Sequence, residues 1–309
     1  MIKIGLIDLY LDNWHTNYYP GFLRDAARET GIDADLVYVY AETDAPGGMT
    51  NRVWCEKTGG VTLLPTYDDI IRESDVLMFM CADDVFPHEK LARKALMSGK
   101  RLYCDKTFAP DVASARRMFR IAKEFGTEVF TSSAMRFCPD LTKYIKDAAA
   151  AGKQASFAAS TGPGEIRNYS VHQLEMVQRV MGRGAADCMA FVSHDSKTVV
   201  YRYPGGRRAT MVQSPNAFFS LVVSDDYAHW DTPNRPTNRG IEPTDYYNPF
   251  MRELLAFFAG GEKPVQHEDT MEIMAMQEGA RAAVASPEVW IPLPERSLNT
   301  GGIYEQSGI

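Results

Sequence analysis

The stretch that decides the fold runs from Met80 to Asp111, MCADDVFPHEKLARKALMSGKRLYCDKTFAPD. An apolar run, VLMFMC at 76–81, enters it and predicts a buried strand, and a short helix with apolar residues at helical spacing follows. A second strand, 101–105, then delivers Lys106. Ligands bind at the carboxyl ends of strands in an open parallel sheet, so we expect chemistry at Asp105 and Lys106. The alternative is a surface lysine that merely follows a strand.

Strand and helix patterns alternate on both sides of this stretch. Apolar strands are predicted at 2–9, 35–40 and 129–131, and helices at 15–30 and 67–73. Such alternation is typical of a Rossmann-type, doubly wound parallel sheet covered by helices on both faces.

The pattern changes after Arg136. Short strand candidates follow one another at 155–160, 189–192, 198–203, 209–213 and 218–223, with a hairpin signal at Gly205-Gly206. Residues 231–245 are predicted as an irregular loop, and helices are expected from Asn248 and Asp269 onward. The chain is therefore predicted as α/β: a parallel-sheet domain at 1–134 and an α+β domain with a mostly antiparallel sheet at 135–309.

Composition excludes several classes of function. A formal net charge of -7 argues against a protein that binds nucleic-acid phosphates. No apolar run approaches the roughly 20 residues that a membrane helix needs. The five cysteines show no CxxC spacing and are read as free thiols of a reducing compartment. We expect a cytoplasmic protein with a small-molecule substrate and no nucleic-acid or membrane partner.

The central stretch closely resembles the signature of the Gfo/Idh/MocA oxidoreductases. The shared features are a strand, a loop with His88, a helix, the pattern Ala-Leu-x-x-Gly-Lys, and a strand ending in an acid and a lysine. The family pattern ends in Glu-Lys-Pro, whereas this chain reads Asp105-Lys106-Thr107. The resemblance extends to about Leu293. It implies an NAD(P)-dependent oxidoreductase acting on a secondary alcohol of a sugar, cyclitol or related polyol, and a homo-oligomer, either a dimer or a tetramer.

The first loop departs from the dinucleotide-binding pattern GxGxxG. Asp8, Tyr10 and Asn13 stand at the three glycine positions, where a small residue normally lets the backbone approach a pyrophosphate. Asp8 and Asp12 also bring negative charge to the helix N-terminus that would hold phosphate. Either the dinucleotide binds in a displaced pose or it has been lost. In the second case the protein would be a lyase, an epimerase or isomerase, or a ligand-binding protein.

Glu42 ends the second predicted strand, where an acid can accept hydrogen bonds from ribose hydroxyls. This favours NAD over NADP because a carboxylate repels a 2′-phosphate; a solvated strand end is the alternative. Trp14 and His15 can stack on a ligand or pack as a staple for the first helix. The expected cofactor-binding residues are Asp8, Asn13, Trp14, His15, Glu42, Ala82, Asp83, His88 and Asp105.

A second cluster lies at the start of a predicted helix after Gly162-Pro163-Gly164. His172 and Glu175 are three residues apart and share a helix face, and Asn168 lies one turn earlier. The resembled family has Asp-x-x-x-His-x-x-Asp here. The resemblance makes His172 the proton-transferring residue and puts Asn168 in place of its carboxylate partner.

These residues suit hydride transfer at an alcohol. A neutral imidazole such as His172 can take the hydroxyl proton as hydride leaves carbon, and Lys106 can stabilise the alkoxide. The expected catalytic residues are thus Lys106, His172 and Asn168.

The expected substrate-binding residues are Arg136, Tyr169 and Glu175. Arg136 can clamp a substrate carboxylate or a cofactor phosphate, or form an interdomain ion pair. No metal site is expected, because no spacing fixes a third ligand such as His194 or His229 beside His172 and Glu175.

Overall fold

The computed structural model describes residues 1–225, 229–234 and 244–298. A six-stranded, fully parallel sheet forms the first layer, in the order β3-β2-β1-β4-β5-β6. Its strands are β1 (Ile2–Asp8), β2 (Ala34–Ala41), β3 (Thr62–Leu63), β4 (Val76–Phe79), β5 (Leu102–Cys104) and β6 (Val129–Phe130). The helices between them are α1 (Trp14–Thr30), α2 (Asn51–Thr58), α3 (Tyr67–Glu73), α4 (His88–Leu96) and α5 (Val112–Glu124). The predicted Rossmann-type sheet is confirmed.

The apolar run through β4 explains why this sheet is buried on both faces. Val76, Met78 and Met80 join the core on one side. Leu77, Phe79 and Cys81 join the core on the other side. Because side chains alternate along a strand, only a continuous apolar run can serve two covered faces.

The second sheet is mixed and has seven strands, in the order β12-β11-β7-β10-β9-β8-β13. The strands are β7 (Ala155–Gly162), β8 (Asp187–Val192), β9 (Lys197–Arg202), β10 (Arg208–Gln213), β11 (Ser220–Asp225), β12 (His229–Asn234) and β13 (Ile291–Pro292). Only β7 and β10 pair in parallel, so the prediction of a mostly antiparallel sheet is confirmed. The accompanying helices are α6 (Pro139–Ala150), α7 (Ile166–Met181), α8 (Thr244–Phe258) and α9 (His267–Ala285).

Two local predictions are wrong. Residues 231–234 belong to β12, because their backbone pairs with β11 instead of forming a loop. Residues 235–243 of the predicted loop lie outside the described part of the chain. Helix α8 begins at Thr244, one turn before the Asn248-Pro249 signal. Packing overrides the local signal there, since the Tyr247 ring stacks on Phe22 of α1 with centroids 5.1 Å apart.

The last two long helices contact the first sheet as well as the second half of the chain. Helix α8 places Phe250, Leu254 and Phe257 in the core between α1 and the parallel sheet. Helix α9 contributes Met271 and Met274 to the core on the opposite face of that sheet. The domain boundary predicted at residue 134 therefore stays a prediction. The contacts of α8 and α9 connect the two sheets. Among the described helices, none is long and apolar enough to cross a membrane.

We expect Phe250→Ala to lower the free energy of unfolding by about 3–5 kcal/mol, because it leaves a cavity in a close-packed core. Phe250 is fully buried and its ring lies 5.3 Å from that of Tyr103. Urea denaturation would measure the loss. Phe86→Ala is the matched control, since that ring is 60% exposed, and its effect should stay within about 1 kcal/mol. Equal losses in the two variants would contradict the packing described for α8.

Candidate active site

Strands β1, β4 and β5 are neighbours, so their carboxyl ends bring three loops together. Asp8 ends β1, Cys81 follows β4, and Asp105 with Lys106 follows β5. This edge forms the crevice in which α/β folds of this kind hold ligands.

Asp105 is a fully buried carboxylate with two side-chain partners. Its Oδ2 lies 2.7 Å from Nδ1 of His15, and the Tyr103 hydroxyl donates to Oδ1 at 2.9 Å. Burial pushes the pKa of Asp105 upward, but the nearby charges of His15 and Lys106 and these hydrogen bonds more than compensate, so the pKa is lowered. The carboxylate therefore stays ionised and holds His15 at the start of α1.

Lys106 lies near enough to His172 for its charge to act on the imidazole. Nζ of Lys106 is 3.4 Å from the carbonyl oxygen of Ala82. His172, half-buried on α7, has a pKa well below its usual range, because burial disfavours the imidazolium and the charges of Lys106 and His15 repel it. The imidazole is therefore neutral at neutral pH and can accept a proton.

Ser133 sets the orientation of the His172 ring. Its Oγ is 2.6 Å from Nδ1 of His172 and also accepts a hydrogen bond from the backbone N–H of Met135. In the tautomer in which Nδ1–H donates to Ser133, the lone pair of His172 lies on Nε2; in the other tautomer the Ser133 hydroxyl donates to Nδ1. In the first tautomer Nε2 is the atom a base would use.

Asn168 and Tyr169 occupy the first turn of α7 and are both exposed. The Tyr169 ring centroid is 5.9 Å from that of His172, and the Phe219 ring approaches the same imidazole at 5.2 Å. Gly164 permits this arrangement, since it has φ +76° and a Cβ there would lie 2.6 Å from the Tyr169 ring. His172 thus has aromatic neighbours, and Asn168 lies one turn away.

Arg136 and Glu175 form a buried ion pair beneath His172. Nη1 of Arg136 donates to Oε2 of Glu175 at 2.9 Å and to Oε1 of Gln178 at 2.8 Å. The backbone N–H of Ser133 donates to the other Glu175 oxygen at 3.2 Å. This matches the ion-pair alternative for Arg136, and the pair fixes α7 against the 3-10 turn at Ala134–Phe137. Substrate binding by Arg136, Tyr169 and Glu175 stays a prediction.

Asp8 is buried and its carboxylate is fully engaged by the chain itself. Oδ1 accepts from the backbone N–H groups of Leu9 at 2.6 Å and Cys81 at 3.0 Å, and Oδ2 accepts from Nδ2 of Asn13 at 2.9 Å. Burial raises the pKa of Asp8 to about 7 despite these bonds. Unlike Asp105, Asp8 has no cation among its hydrogen-bond partners.

The other expected cofactor residues lie around the crevice in different settings. His88 is fully buried between two backbone carbonyls, with Nε2 2.9 Å from the Cys81 oxygen and Nδ1 3.2 Å from the Phe108 oxygen. These contacts give it a structural role in joining two loops. Trp14 is 43% exposed, and its ring lies 5.2 Å from that of Tyr247. Glu42 is exposed at the end of β2 beside an open groove that Lys90 and Lys94 also line.

The crevice fits a nicotinamide dinucleotide only in part. Glu42, which the sequence predicts to accept hydrogen bonds from ribose hydroxyls, borders the open groove. The phosphate position does not fit in the usual pose, because Asp8, Tyr10, Asn13 and Asp83 surround a free space of about 10 Å³, room for a single water molecule.

Over the described residues, no group of three or more His, Cys, Asp or Glu side chains is arranged to hold a metal ion.

Sequence reasoning missed Tyr103 and Ser133. Tyr103 lies two residues before Asp105 in β5, so strand alternation puts both side chains on one face. Ser133 lies in the polar segment Thr131–Ser133 just after β6, and polar residues after a strand end are a usable signal. The partners of Asp8 could not be found this way, because the N–H of Cys81 is a backbone group 73 positions away.

Comparison with known proteins agrees with the fold. No family model matches the sequence. The uncharacterized oxidoreductase YhhX of Escherichia coli (strain K12) is 30% identical over 70 residues, which are 23% of this chain and 20% of that protein. The chain therefore matches only about a fifth of the length of this curated relative.

Solved structures cover nearly the whole chain. Levoglucosan dehydrogenase, in complex with NADH and levoglucosan, has a TM-score of 0.74 at 13% identity, covering 95% of this chain and 100% of that one. The WlbA dehydrogenase from Bordetella pertussis, in complex with NADH and UDP-GlcNAcA, has a TM-score of 0.69 at 14% identity and covers 95% and 98%. Myo-inositol 2-dehydrogenase from Lactobacillus plantarum has a TM-score of 0.70 at 13% identity and covers 95% and 99%.

The chain has the fold of these dehydrogenases. The resemblance seen in the central stretch is thus confirmed at the level of fold.

The raised pKa of Asp8 makes a prediction about stability. A carboxyl group whose pKa is higher in the folded state favours folding when protonated, and loses that contribution as pH rises from about 4 through about 7. Relative to Asp8→Asn, the free energy of unfolding of the wild type should fall over this interval. The fall should be at most about 4 kcal/mol, since one pKa unit corresponds to about 1.4 kcal/mol. Urea denaturation across this pH range would measure it, and parallel curves for the two proteins would contradict it.

The Arg136–Glu175 pair makes a second prediction. Glu175→Gln leaves the buried guanidinium without its counter-charge and should cost about 3 kcal/mol of unfolding free energy. Glu165→Gln is the control, because that side chain is 73% exposed in its pair with Lys197, and it should cost less than about 1 kcal/mol. Thermal unfolding compares the two. A Glu175→Gln protein of unchanged stability but weakened substrate binding would instead support the substrate role.

Proposed function

We propose that the protein is an enzyme that moves a proton at a hydroxyl group of a sugar, cyclitol or related polyol. The observation that carries this proposal is that His172, held by Ser133 at 2.6 Å, is near enough to Lys106 for the lysine charge to help keep the imidazole neutral. The polyol class comes from the likeness to the inositol and sugar dehydrogenases, not from a residue pattern of this chain.

In the first candidate reaction the enzyme is an oxidoreductase acting on a secondary alcohol. A nicotinamide dinucleotide, if bound, would supply the acceptor for the hydride. At the substrate, Nε2 of His172 would take the hydroxyl proton, and Lys106 would stabilise the developing alkoxide by charge and hydrogen bonding. Asn168 orients a substrate hydroxyl, since an amide can donate and accept hydrogen bonds but cannot ionise. NAD is the expected dinucleotide, because Glu42 would repel the 2′-phosphate of NADP.

In the second candidate reaction the same residues act without turnover of free nicotinamide, as in a lyase, an epimerase or an isomerase. The observation that favours it is the set of hydrogen bonds that Asp8 makes within the phosphate position. The homo-oligomer and the cytoplasmic location stay predictions under either reaction.

One experiment separates the two reactions. Sugars and cyclitols are incubated with the purified protein in deuterated water, with and without NAD or NADP, and followed by NMR and by the absorbance of reduced nicotinamide. Reduction of the dinucleotide supports the first candidate. Substrate conversion or carbon-bound deuterium without a dinucleotide supports the second. Inertness towards every polyol in both conditions would sink the proposed substrate class.

His172→Ala should lower turnover by about 10²–10⁴-fold, the range that a positioned acid–base group supplies. Substrate affinity, measured by calorimetry, should stay nearly unchanged, because the role assigned to Nε2 is proton transfer. His194→Ala is the matched control, since His194 is exposed and lies in the turn between β8 and β9. Loss of ligand binding together with activity in His172→Ala would mean that the role of His172 is misassigned.

A further inference from the structure

The loop between β1 and α1 satisfies its own hydrogen-bonding groups. In a dinucleotide-binding turn, backbone N–H groups and a free helix N-terminus receive the phosphate oxygens. Here the N–H groups of Leu9 and Cys81 already donate to Oδ1 of Asp8, at 2.6 Å and 3.0 Å. Two donors that border the phosphate position are thus taken by a carboxylate from the same chain.

The N-terminus of α1 is closed in the same way. Oδ1 of Asn13 accepts from the backbone N–H of Thr16 at 3.1 Å, and Oγ1 of Thr16 accepts from the backbone N–H of Asn13 at 3.3 Å. This reciprocal capping box satisfies donors that a bound anion would otherwise use. A phosphate at this end would have to displace the side-chain oxygens of Asn13 and Thr16, which already accept hydrogen bonds from these N–H groups.

A third contact spans the entrance. The Tyr10 hydroxyl donates to Oδ2 of Asp83 at 2.8 Å and so links the loop after β1 to the loop after β4. Asp84 lines the same space, so the side chains that border it carry acidic groups and no basic one. A pyrophosphate would meet like charge as well as steric obstruction.

We infer that the carboxylate of Asp8 stands in the place of a dinucleotide phosphate, and that the crevice is thereby closed to NAD and NADP in the usual Rossmann pose. Three contacts carry this inference: the two backbone donors on Asp8, the Asn13 cap, and the Tyr10–Asp83 link. It goes beyond the proposed function, because it concerns which ligand the crevice admits and holds whichever polyol is the substrate. It favours the second candidate reaction.

The inference predicts a gain of binding. The wild-type full-length protein, titrated calorimetrically with NAD, NADH and NADP, should show no binding up to on the order of 1 mM. The combined variant Asp8→Gly, Tyr10→Gly and Asn13→Gly restores the three glycines, frees the two N–H groups and removes the link across the entrance. It should bind NAD at least about ten-fold more tightly than the wild type.

Controls keep the result interpretable. Asp33→Asn removes an equal charge from a 78% exposed side chain just before β2, at the opposite edge of the sheet, and should leave affinity unchanged. If the combined variant does not fold, Asp8→Gly alone keeps the Asn13 cap and should still gain about three-fold or more. Micromolar binding by the wild type, or a folded Asp8→Gly protein with no gain, would overturn the inference. The first of these results would leave the Lys106–His172 site and the oxidoreductase reaction standing.

Discussion

The crevice depends on the buried carboxylate of Asp105. Removing an ionised carboxylate from water costs free energy. This carboxylate is stabilised by His15, by the Tyr103 hydroxyl and by the charge of Lys106. Those contacts tie the start of α1 to the end of β5. Burial lowers the pKa of the His172 imidazole, and the charges of Lys106 and His15 lower it further, whereas the charge of Asp105 acts in the opposite direction. The strand-end carboxylate therefore holds the start of the first helix, while burial and the two neighbouring cations keep His172 neutral.

Asp8 ends β1, which is separated from β5 by one strand of the sheet. Its pKa shifts in the opposite direction to that of Asp105. It is as deeply buried, but its hydrogen-bond partners are neutral, and its pKa rises to about 7 while that of Asp105 falls. Environments that shift the pKa values of two carboxyl groups in opposite directions usually give the two groups different tasks. Asp105 serves as a permanent anion that organises cations. Asp8 serves as a hydrogen-bond acceptor that joins the loops after β1 and β4, and its ionisation is easily lost.

The sequence was sufficient for whatever depends on local pattern. The run VLMFMC predicted a buried strand, and the strand–helix alternation predicted the parallel sheet. The roles of the lysine and histidine motifs stay predictions. The sequence was insufficient where contacts between residues far apart in the chain determine the local structure. Helix α8 starts a turn early because Tyr247 packs on Phe22, and residues 231–234 form a strand because β11 offers an edge. The contacts of Asp8 with Cys81 show the same limit, since no spacing in a sequence reveals which N–H a carboxylate will meet.

In the loop that lacks the glycines, side chains of the protein itself replace the phosphate oxygens as hydrogen-bond acceptors. This is more than a loss of the glycine motif. A protein that merely lost its glycines would leave backbone donors and a helix end unsatisfied, and buried unsatisfied groups are costly. In this chain the residues at the first and third glycine positions supply the missing acceptors: Asp8 for the two loops and Asn13 for the helix. A tethered carboxylate acts at a high effective concentration, so a free phosphate must compete with it at a disadvantage. The proposed site at Lys106 and His172 can thus keep its place in the fold while the group beside it changes.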